Sequence, residues 1–413
     1  MSAPSRPHLY PAPAARAWRR RAQLALQRGA VTPSYLFAAE PYAAAVRSLA
    51  ALDYGRPVRT WLSAKTQPLP ALWQWWREQG SGHGIEVVSE FEFRGALADG
   101  YTPERILING PAKHRWLPAL ARPGLRVHFD SLRELQLLLP LAVEFQWRIG
   151  LRLRTPGEVD PGHPEFPTQF GLEPAEAALA LGRMQRAGVE LEGIHFHLRT
   201  QVPVATEFAV ALEAVRDWCE RTGARPRILD VGGGLPAPWT WSADGRRFDA
   251  RFRLAEYAAV IRRAVDRMPF VREVWLENGR HLSARAGVLL VRILDVKERS
   301  GTRLLICDGG RTMNALVSTW EEHALLPLER RTGRRVLTAV HGPTCMAFDC
   351  LGRRRLPASL RPGDHLLWCE AGAYHLPWET RFSHGLAEVW WEDERGLRRV
   401  RRAESFESYR ALW

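Results

Sequence analysis

The sequence has little lysine, few cysteines and no long uninterrupted apolar run. Only three of its 58 basic residues are lysines, namely Lys65, Lys113 and Lys297. The five cysteines form no Cys-x-x-Cys pair and leave one unpaired in any disulfide scheme, so neither a zinc framework nor a disulfide scaffold is expected. Without about 18 consecutive apolar residues a membrane-spanning helix is not predicted, and arginines interrupt the N-terminal segment where a signal peptide would be apolar. We therefore expect a cytoplasmic protein without a membrane partner.

The composition is that of a folded protein with a strongly basic balance. The 413 residues are 46% hydrophobic and 25% charged, the net charge is +13 and the pI is about 10.2. Such a charge suits nucleic-acid binding, which needs a concentrated basic surface. Here the excess is almost entirely arginine and is spread along the chain. We therefore expect no nucleic-acid partner, and we examine the three lysines first because arginine cannot replace lysine in amine chemistry.

A unit of one short strand followed by one amphipathic helix repeats from residue 57 to about residue 282. Apolar residues recur three and four positions apart in the intervening segments, as in helices that cover a sheet. The eight predicted strands span residues 60–64, 85–89, 105–109, 126–130, 148–154, 193–198, 228–231 and 273–277. Eight such units in about 225 residues predict a (β/α)8 barrel. A doubly wound open sheet is the alternative.

The remainder of the chain has a different pattern. From residue 283 onward, strand-like runs alternate with Gly, Pro and Asp turns, which predicts an all-β domain. Residues 1–37 contain a basic amphipathic helix and the strand-like Ser34–Phe37, which could pair with either domain. We assign residues 1–37 to packing with the β-domain, 38–282 to the barrel and 283–413 to the C-terminal β-domain.

Polar residues or glycines end most of the predicted barrel strands. In strand order they are Lys65, Ser89, Asn109-Gly110, Asp130, Arg152 and Arg154, His195 and His197, Gly232-Gly233-Gly234, and Glu277-Asn278-Gly279-Arg280. Active sites of such barrels lie at the carboxyl ends of the strands, so these residues are the candidates for chemistry. A Gly-Gly-Gly run by itself is often only a tight turn. Its position after the seventh strand, with Arg280 after the eighth, favours a phosphate site.

A phosphorylated cofactor and a lysine at a strand end together suggest pyridoxal phosphate. This cofactor needs an amine that condenses with its aldehyde and an acid that keeps its ring nitrogen protonated. Lys65 offers the amine, unless it is a surface lysine, and Glu277 offers the acid, unless it forms a structural salt bridge. His197 could lie over the ring. Its neighbour His195 completes a His-x-His pair that also suits a metal, but no third ligand lies at a compatible spacing, so we expect no metal site.

The motifs together resemble those of one known family. They are Ser63-Ala-Lys65-Thr, Gly84-Ile-Glu86-Val-Val-Ser89, Asn109-Gly-Pro-Ala-Lys113, His195-Phe-His197, Asp230-Val-Gly-Gly-Gly234, Glu277-Asn-Gly-Arg280, Gly342-Pro-Thr-Cys345 with Asp349, and Gly363-Asp364 followed by Ala371-Gly-Ala-Tyr374. In this order, between Thr32 and Phe382, the sequence resembles the fold-type III pyridoxal-phosphate decarboxylases, the group of diaminopimelate, ornithine and arginine decarboxylases. The resemblance implies an alanine-racemase-like barrel joined to a C-terminal β-domain.

The resemblance also implies roles for individual residues. Lys65 would bear the cofactor, His197 would stack on its ring, and Glu277 would hold the ring nitrogen. The further cofactor-binding residues would be Glu86, Ser89, Thr200, Gly232, Gly233, Gly234, Gly279, Arg280 and Tyr374, with support from Arg152 or Arg154. Cys345 and Asp349 would enter the site from a partner subunit, which implies a homodimer with shared active sites. Cys345 would return a proton to the substrate, unless it is merely a small buried residue.

The departures from the family fall on the substrate side. Met346 stands where an acidic residue commonly binds a distal ammonium, and Arg199-Thr200-Gln201 replaces a Gly-Ser-Gln. The Arg-Pro that binds a distal carboxylate is absent at Val317-Ser318, and Asn278 replaces a proline. We therefore take Arg199, Met346 and Asp349 as candidate substrate contacts. The expected activity is pyridoxal-phosphate-dependent decarboxylation of an amino acid or an amino-acid-derived intermediate in specialised metabolism.

Two other functions use the same residues. A racemase would exchange the α-proton with solvent without releasing carbon dioxide. A non-catalytic homologue that only forms heterodimers would have lost the lysine or the glycine loop, and both are present.

Overall fold

The computed structural model describes residues 10–80 and 82–413, so the first nine residues of the predicted N-terminal segment lie outside it. Its helices are α1 (Ala12–Gln27), α2 (Ala39–Ala50), α3 (Pro70–Glu78), α4 (Glu90–Ala98), α5 (Leu132–Glu144), α6 (Pro174–Arg186), α7 (Glu207–Thr222), α8 (Leu254–Asp266), α9 (Arg280–Ser283) and α10 (Phe406–Arg410). Its strands up to residue 300 are β1 (Ser34–Ala38), β2 (Val58–Ser63), β3 (His83–Val87), β4 (Ile106–Ile108), β5 (Arg126–Phe129), β6 (Arg148–Arg152), β7 (Leu191–His195), β8 (Ile228–Asp230), β9 (Glu273–Asn278) and β10 (Gly287–Arg299). The later strands are β11 (Thr302–Cys307), β12 (Leu325–Pro327), β13 (Arg335–His341), β14 (Cys350–Pro357), β15 (His365–Trp368), β16 (Glu388–Asp393) and β17 (Gly396–Arg401).

Strands β2 to β9 form a closed parallel barrel in sequence order. The barrel closes where β2 pairs with both β3 and β9, with Trp61 opposite Gly84 on one side and opposite Glu277 on the other. This confirms the (β/α)8 barrel and excludes the open sheet. Strand β7 ends at His195, so His197 follows the strand instead of lying within it.

The barrel interior contains an apolar layer of large side chains. Trp61, Leu107, Ile228 and Trp275 form one buried cluster, and the two tryptophan rings are 4.8 Å apart. A Cβ on Gly84 would lie 2.3 Å from the Trp61 ring, so this strand position needs glycine. Because alternate strand residues face the same side, Trp275 and the following Glu277 both point inward. The apolar layer therefore supports a polar layer at the carboxyl ends of the strands.

The helices that alternate with the barrel strands agree with the sequence pattern except after β4. There two short 3-10 turns, Lys113–Arg115 and Leu117–Leu120, take the place of a regular helix. Ala112 has a left-handed φ of 60°, and Pro118 has no N–H to continue a longer helix. Among the described residues, no helix is long and apolar enough to cross a membrane.

The chain divides into two compact units. The strand-rich unit comprises the described residues up to Ala44, Ala237–Ala250 and Leu282–Trp413, and the barrel unit comprises Ala45–Pro236 and Arg251–His281. The segment 237–250 belongs to the strand-rich unit although it lies within the range predicted for the barrel, 38–282. The predicted domain boundaries at 37 and 282 stay predictions.

The strand-rich unit is built on a nine-stranded sheet. Its main path runs β14-β13-β11-β10-β1-β16-β17, and β15 pairs with both β10 and β12. The N-terminal strand β1 lies between β10, to which it is antiparallel, and β16, to which it is parallel. Trp18 of α1 packs into the core of this unit with Leu36, Leu290 and Trp390. Strand β14 carries Arg353 and Arg355 on its exposed face.

Lys113, one of the three lysines, has a structural position in the barrel unit. Its side chain is fully buried, and its Nζ lies 2.7 Å from Glu134 Oε2. The Glu134 carboxylate also accepts the backbone N–H groups of Lys113 at 2.7 Å and of Asp130 at 3.0 Å. Burial lowers the pKa of Lys113, and Glu134 opposes that shift. This ion pair therefore anchors the turns that follow β4 and β5.

We expect Lys113→Met to lower the free energy of unfolding by about 3–5 kcal/mol, because it leaves Glu134 charged and buried without its counterion. Urea denaturation measures the change. The matched control is Lys297→Met, since Lys297 is half exposed and 3.5 Å from Asp295; its loss should change stability by less than about 1 kcal/mol. Equal effects of the two substitutions would contradict the structural role of the buried pair.

Candidate active site

An amine and a buried acid meet at the carboxyl ends of β2 and β3. Lys65 lies in a short turn after β2, and its Nζ donates to both Glu86 oxygens, at 2.8 Å and 2.7 Å. Glu86 on β3 is 1% exposed, whereas the Lys65 side chain is 39% exposed. The lysine amine therefore stands at the mouth of the barrel, and its position is fixed by a buried carboxylate.

Asn109 connects this pair with a second buried carboxylate. It follows β4, and its Nδ2 lies 3.4 Å from Glu86 Oε1 and also donates to Glu277 Oε1. One amide group thus bridges the acids of β3 and β9. Asn109 stands at a predicted strand end, but its sequence position alone did not predict this bridging role.

Glu277 remains ionised although it is buried. Burial alone would raise its pKa, but His195, whose Nε2 is 3.4 Å from Glu277 Oε2, lowers it well below the usual range, with His128 and Lys65 contributing. His128 stacks on His195 with ring centroids 5.0 Å apart. Burial, reinforced by His195, lowers the pKa of His128 well below its usual range. The site therefore presents a carboxylate anion inside the barrel.

Asp230, at the end of β8, is protonated and neutral, in contrast to Glu277. Burial raises its pKa well above the usual range, and repulsion from Glu277 adds to the shift. Its Oδ1 accepts the N–H of Gly232 at 2.9 Å. A neutral Asp230 thus anchors the glycine loop and leaves the negative charge on Glu277.

The glycine loop needs all three of its glycines. Gly232 and Gly234 have φ of +64° and +88°, a region that favours glycine. A Cβ on Gly233 would lie 2.4 Å from the Glu277 carbonyl oxygen, and one on Gly234 would lie 2.4 Å from the Arg199 carbonyl oxygen. The loop therefore packs backbone against backbone, with the Gly232 and Gly233 N–H groups donated to Asp230 and His197.

His197 is held against this loop as a neutral imidazole. Its Nδ1 accepts the Gly233 N–H at 3.0 Å, so its own proton is on Nε2. Burial lowers the pKa of His197 to about 3, with a further contribution from Arg152. An uncharged flat ring at this position suits stacking on an aromatic ligand.

The arginine of the fifth barrel strand that faces these groups is Arg152. Its guanidinium lies 3.7 Å from Asp130 Oδ1 and over the Phe170 ring at 4.6 Å, with 12% of the side chain exposed. Arg154 instead pairs with Glu173 and is 38% exposed. The sequence left open whether Arg152 or Arg154 supports the cofactor site, and these contacts favour Arg152.

Arg280 begins α9 directly after Gly279, beside the end of β9. A Cβ on Gly279 would lie 2.8 Å from the Thr66 side chain, so glycine allows the segments after β2 and β9 to approach. The lysine turn and the predicted phosphate arginine are thereby brought to the same end of the barrel.

Two of the predicted contact residues, Ser89 and Arg199, have other partners in the structure, and a third, Thr200, is exposed. Ser89 caps α4, where its hydroxyl accepts the Glu92 N–H at 3.3 Å. Arg199 forms an ion pair with Glu207 and donates to the Gly157 carbonyl at 2.9 Å. The roles of these three residues in cofactor or substrate binding stay predictions. Ser89 and Arg199 also make structural contacts that the sequence motifs do not show.

The remaining predicted site residues lie in the strand-rich unit. Cys345 is exposed in the loop between β13 and β14. Asp349 is 2% exposed and accepts the Arg311 N–H at 2.7 Å and the Thr344 hydroxyl at 2.7 Å, so it organises this loop. Met346 is partly buried, and Tyr374 has a left-handed φ of 66°. The contribution of these residues to the barrel site stays a prediction.

Sequence reasoning missed His128 and gave no role to Asp230. His128 lies two positions before Asp130 on β5, so the alternation of the strand was the available signal for an inward-facing imidazole. Asp230 was noted only as part of the glycine motif.

The chain is similar in sequence to one known family. Residues 45–284 match the sequence model of the family described as "Pyridoxal-dependent decarboxylase, pyridoxal binding domain". A diaminopimelate decarboxylase of Deinococcus radiodurans is 32% identical over 353 residues, 83% of this chain and 85% of that protein. One from Actinosynnema pretiosum subsp. auranticum is 30% identical over 327 residues, 76% of this chain and 73% of that protein.

Solved structures show the same fold. Diaminopimelate decarboxylase from Helicobacter pylori, complexed with L-lysine, has a TM-score of 0.80 at 21% identity and covers 94% of this chain and 98% of its own. Lysine/ornithine decarboxylase from Vibrio vulnificus, complexed with cadaverine, has a TM-score of 0.76 at 20% identity and covers 94% and 100%.

The carboxyl of Glu92, at the first turn of α4, makes stability depend on pH. It accepts the Val88 N–H at 2.7 Å, and burial raises its pKa to about 7, with a contribution from Glu86. Because the folded pKa exceeds the unfolded value, this group's stabilising effect is complete below about pH 4.5 and is lost as the pH rises through about 7.

We therefore expect the free energy of unfolding of Glu92→Gln, relative to that of the wild type, to increase by roughly 1–3 kcal/mol as the pH rises from 5 to 8, because the amide cannot ionise. Denaturation at both pH values measures the difference. Glu90→Gln is the control, since Glu90 is exposed on the same helix and pairs with Arg94. If both variants follow the wild-type pH profile, the buried carboxyl of Glu92 does not titrate in this range.

Proposed function

The chain belongs to the pyridoxal-dependent decarboxylases, and from this premise we propose that diaminopimelate is the amino acid that it decarboxylates. The enzyme is a carboxy-lyase with pyridoxal phosphate as its cofactor. The observation that supports diaminopimelate most directly is the identity of 32% with the Deinococcus radiodurans enzyme over 83% of the chain. These relatives do not support the expectation of specialised metabolism, nor a racemase or a non-catalytic subunit.

The residues at the mouth of the barrel fit this cofactor. Ionised Glu277 would pair with the protonated ring nitrogen, and neutral His197 would lie against the ring face. The glycine loop from Gly232 and the guanidinium of Arg280 would hold the phosphate. When bound, pyridoxal phosphate supplies an aldehyde that reacts with amines and a ring that withdraws electrons from the bond to the departing carboxylate.

Lys65 would hold the cofactor through its amine. Glu86 orients that amine with two hydrogen bonds and can take up its proton. The Asn109 amide keeps Glu86 and Glu277 at a fixed separation, so the lysine and the ring-nitrogen acid are positioned together. Buried Arg152 adds positive charge beside His197, which favours the neutral imidazole.

A proton must return to the α-carbon after carbon dioxide leaves. The exposed thiol of Cys345 is the proposed donor, and the Lys65 amine is the alternative. Asp349 acts on Cys345 indirectly, because its carboxylate receives hydrogen bonds from Arg311 and Thr344 and thereby fixes the loop. Asp349 is thus a positioning residue in this proposal.

Met346 favours a second candidate substrate. Its thioether cannot pair with a distal ammonium, in contrast to the acidic residue common at this position in similar enzymes. An amino acid whose distal end carries no free ammonium would suit this position better than diaminopimelate.

We expect the holoenzyme to release carbon dioxide from diaminopimelate with a kcat/KM at least about tenfold above that for lysine, ornithine or arginine, a difference of about 1.4 kcal/mol in transition-state binding. Borohydride reduction followed by peptide mapping should place the cofactor on Lys65. Lys65→Ala should lose both the fixed label and the release of carbon dioxide.

The Met346→Glu variant, with Met346→Leu as its control, distinguishes the candidates. If diaminopimelate is decarboxylated only after Met346→Glu, the second candidate replaces the first. If the cofactor-loaded wild type exchanges the α-proton with deuterium but releases no carbon dioxide from any of these amino acids, decarboxylation itself is refuted.

We also propose a homodimer in which each active site receives Cys345 from the partner. Large aromatic side chains are exposed on the segments that flank Cys345 and Tyr374, namely Trp320, Phe348, Trp378 and Phe382. Trp320 and Trp378 contact each other at 5.0 Å, and Arg311 donates to the Phe348 carbonyl and to Thr319, next to Trp320. Exposed aromatic clusters of this kind are typical of protein interfaces.

Mixing inactive Lys65→Ala with inactive Cys345→Ala should restore roughly a quarter of the wild-type activity, because random exchange makes about half of the dimers mixed and each mixed dimer has one intact site. Subunit exchange is followed by native mass spectrometry, and activity by release of carbon dioxide. No recovery although mixed dimers form, or full activity of a monomer, would refute shared sites.

A further inference from the structure

A second group of metal-ligating side chains lies in the strand-rich unit, with one member, His375, next to Tyr374 in sequence. Glu321, His323 and His375 offer one ligand atom each within 4.8 Å of one another. All three are buried: Glu321 is 4% exposed, and both histidines are 0% exposed. We propose that these three residues bind a divalent transition-metal ion of the zinc class.

The distances match those of ligands on one ion. His323 Nε2 and Glu321 Oε1 are 3.0 Å apart. Two atoms bound to a tetrahedral zinc at about 2.05 Å are roughly 3.3 Å apart, so only a small movement separates the present contact from joint coordination.

The two imidazole rings have a compatible arrangement. The ring centroids of His323 and His375 are 5.2 Å apart and the rings are at 80° to each other. Two imidazoles on one tetrahedral zinc, bound through nitrogen at about 2.05 Å, have centroids roughly 5 Å apart. Three protein donors leave one position for a water molecule, and two nitrogens with one carboxylate suit zinc better than calcium or magnesium.

A second carboxyl group lies close to Glu321, and an arginine faces that group. Glu370 is a second carboxylate, 1% exposed, and it lies within electrostatic range of Glu321. Arg285 and the Tyr10 hydroxyl face Glu370 as well, and Asp249 adds another acid. Burial raises the pKa of Glu370 to about 8, so Glu370 adds little negative charge at neutral pH, and Glu321 is the carboxylate whose buried charge a divalent cation would balance.

The ligands come from two irregular segments that already contact each other. Glu321 and His323 belong to the segment between β11 and β12, and His375 belongs to the segment between β15 and β16. The Thr380 N–H donates to the Thr312 carbonyl at 2.9 Å between these same segments. An ion here would join two loops that lack regular structure, and it would fix the backbone next to Tyr374. This inference departs from the sequence-based expectation of no metal site, and it does not depend on the proposed substrate.

The test uses the full-length holoenzyme without an affinity tag. After exposure to zinc and removal of free ion by gel filtration, elemental analysis should find about one zinc per chain, and cobalt in its place should give visible ligand-field absorption. Glu321→Gln, His323→Gln and His375→Gln should each weaken zinc binding at least about tenfold, measured against a competing chelator.

The matched control is His365→Gln. His365 Nδ1 lies 2.9 Å from Glu329 Oε1 in the same unit, so this variant removes a similar His–Glu pair outside the proposed site, and zinc binding should be unchanged. Glu321→Gln retains the side-chain volume, and circular dichroism verifies its folding. A wild type with less than about 0.1 zinc per chain at saturating zinc, or unchanged zinc binding in Glu321→Gln and His375→Gln, would overturn the proposal, whatever the outcome of the substrate test.

Discussion

Two charged carboxylates buried inside a barrel are the constraint on which the site depends. Glu86 and Glu277 have little contact with solvent, and an uncompensated charge at such a position costs several kcal/mol. Compensation comes from different strands: the Lys65 amine after β2, the Asn109 amide after β4 and the His195 imidazole on β7. None of these partners is a sequence neighbour of the acid that it stabilises. The closed barrel is therefore what permits the charges, because only its curvature brings the strand ends together.

The periodicity of the sequence was sufficient to predict this architecture. Eight strands alternating with helices predicted the barrel, and the polar residues at the strand ends predicted where chemistry would lie. Because lysine is scarce in this sequence, Lys65 was a candidate for chemistry, and it lies at the site. The same scarcity applies to Lys113, which forms a buried ion pair with Glu134 that stabilises the fold. Composition can identify an unusual residue type, but only burial and partners distinguish a reactive amine from a structural one.

Motifs specify residue types and not their neighbours, so the structure adds partners that the motifs do not show. Arg199, a predicted substrate contact, pairs with Glu207. Asp349, which matches the family position, receives hydrogen bonds from the loop that it organises. The predicted roles of both residues in binding substrate stay predictions. In both cases the partner is distant in sequence or contributes only a backbone N–H, which a motif does not record.

The two histidine clusters show why geometry must decide function. Each contains two histidines and one glutamate, all buried. In the barrel, His195 lies beside Glu277 and lowers the pKa of that carboxyl, and the His128 ring stacks on His195 at 30°. In the strand-rich unit, the His323 and His375 rings cross at 80° beside Glu321. The ligand atoms of both clusters are close enough to converge on one point. In the barrel, however, the Glu277 carboxylate already receives the Asn109 amide and pairs with His195, which fits the role of a buried charge.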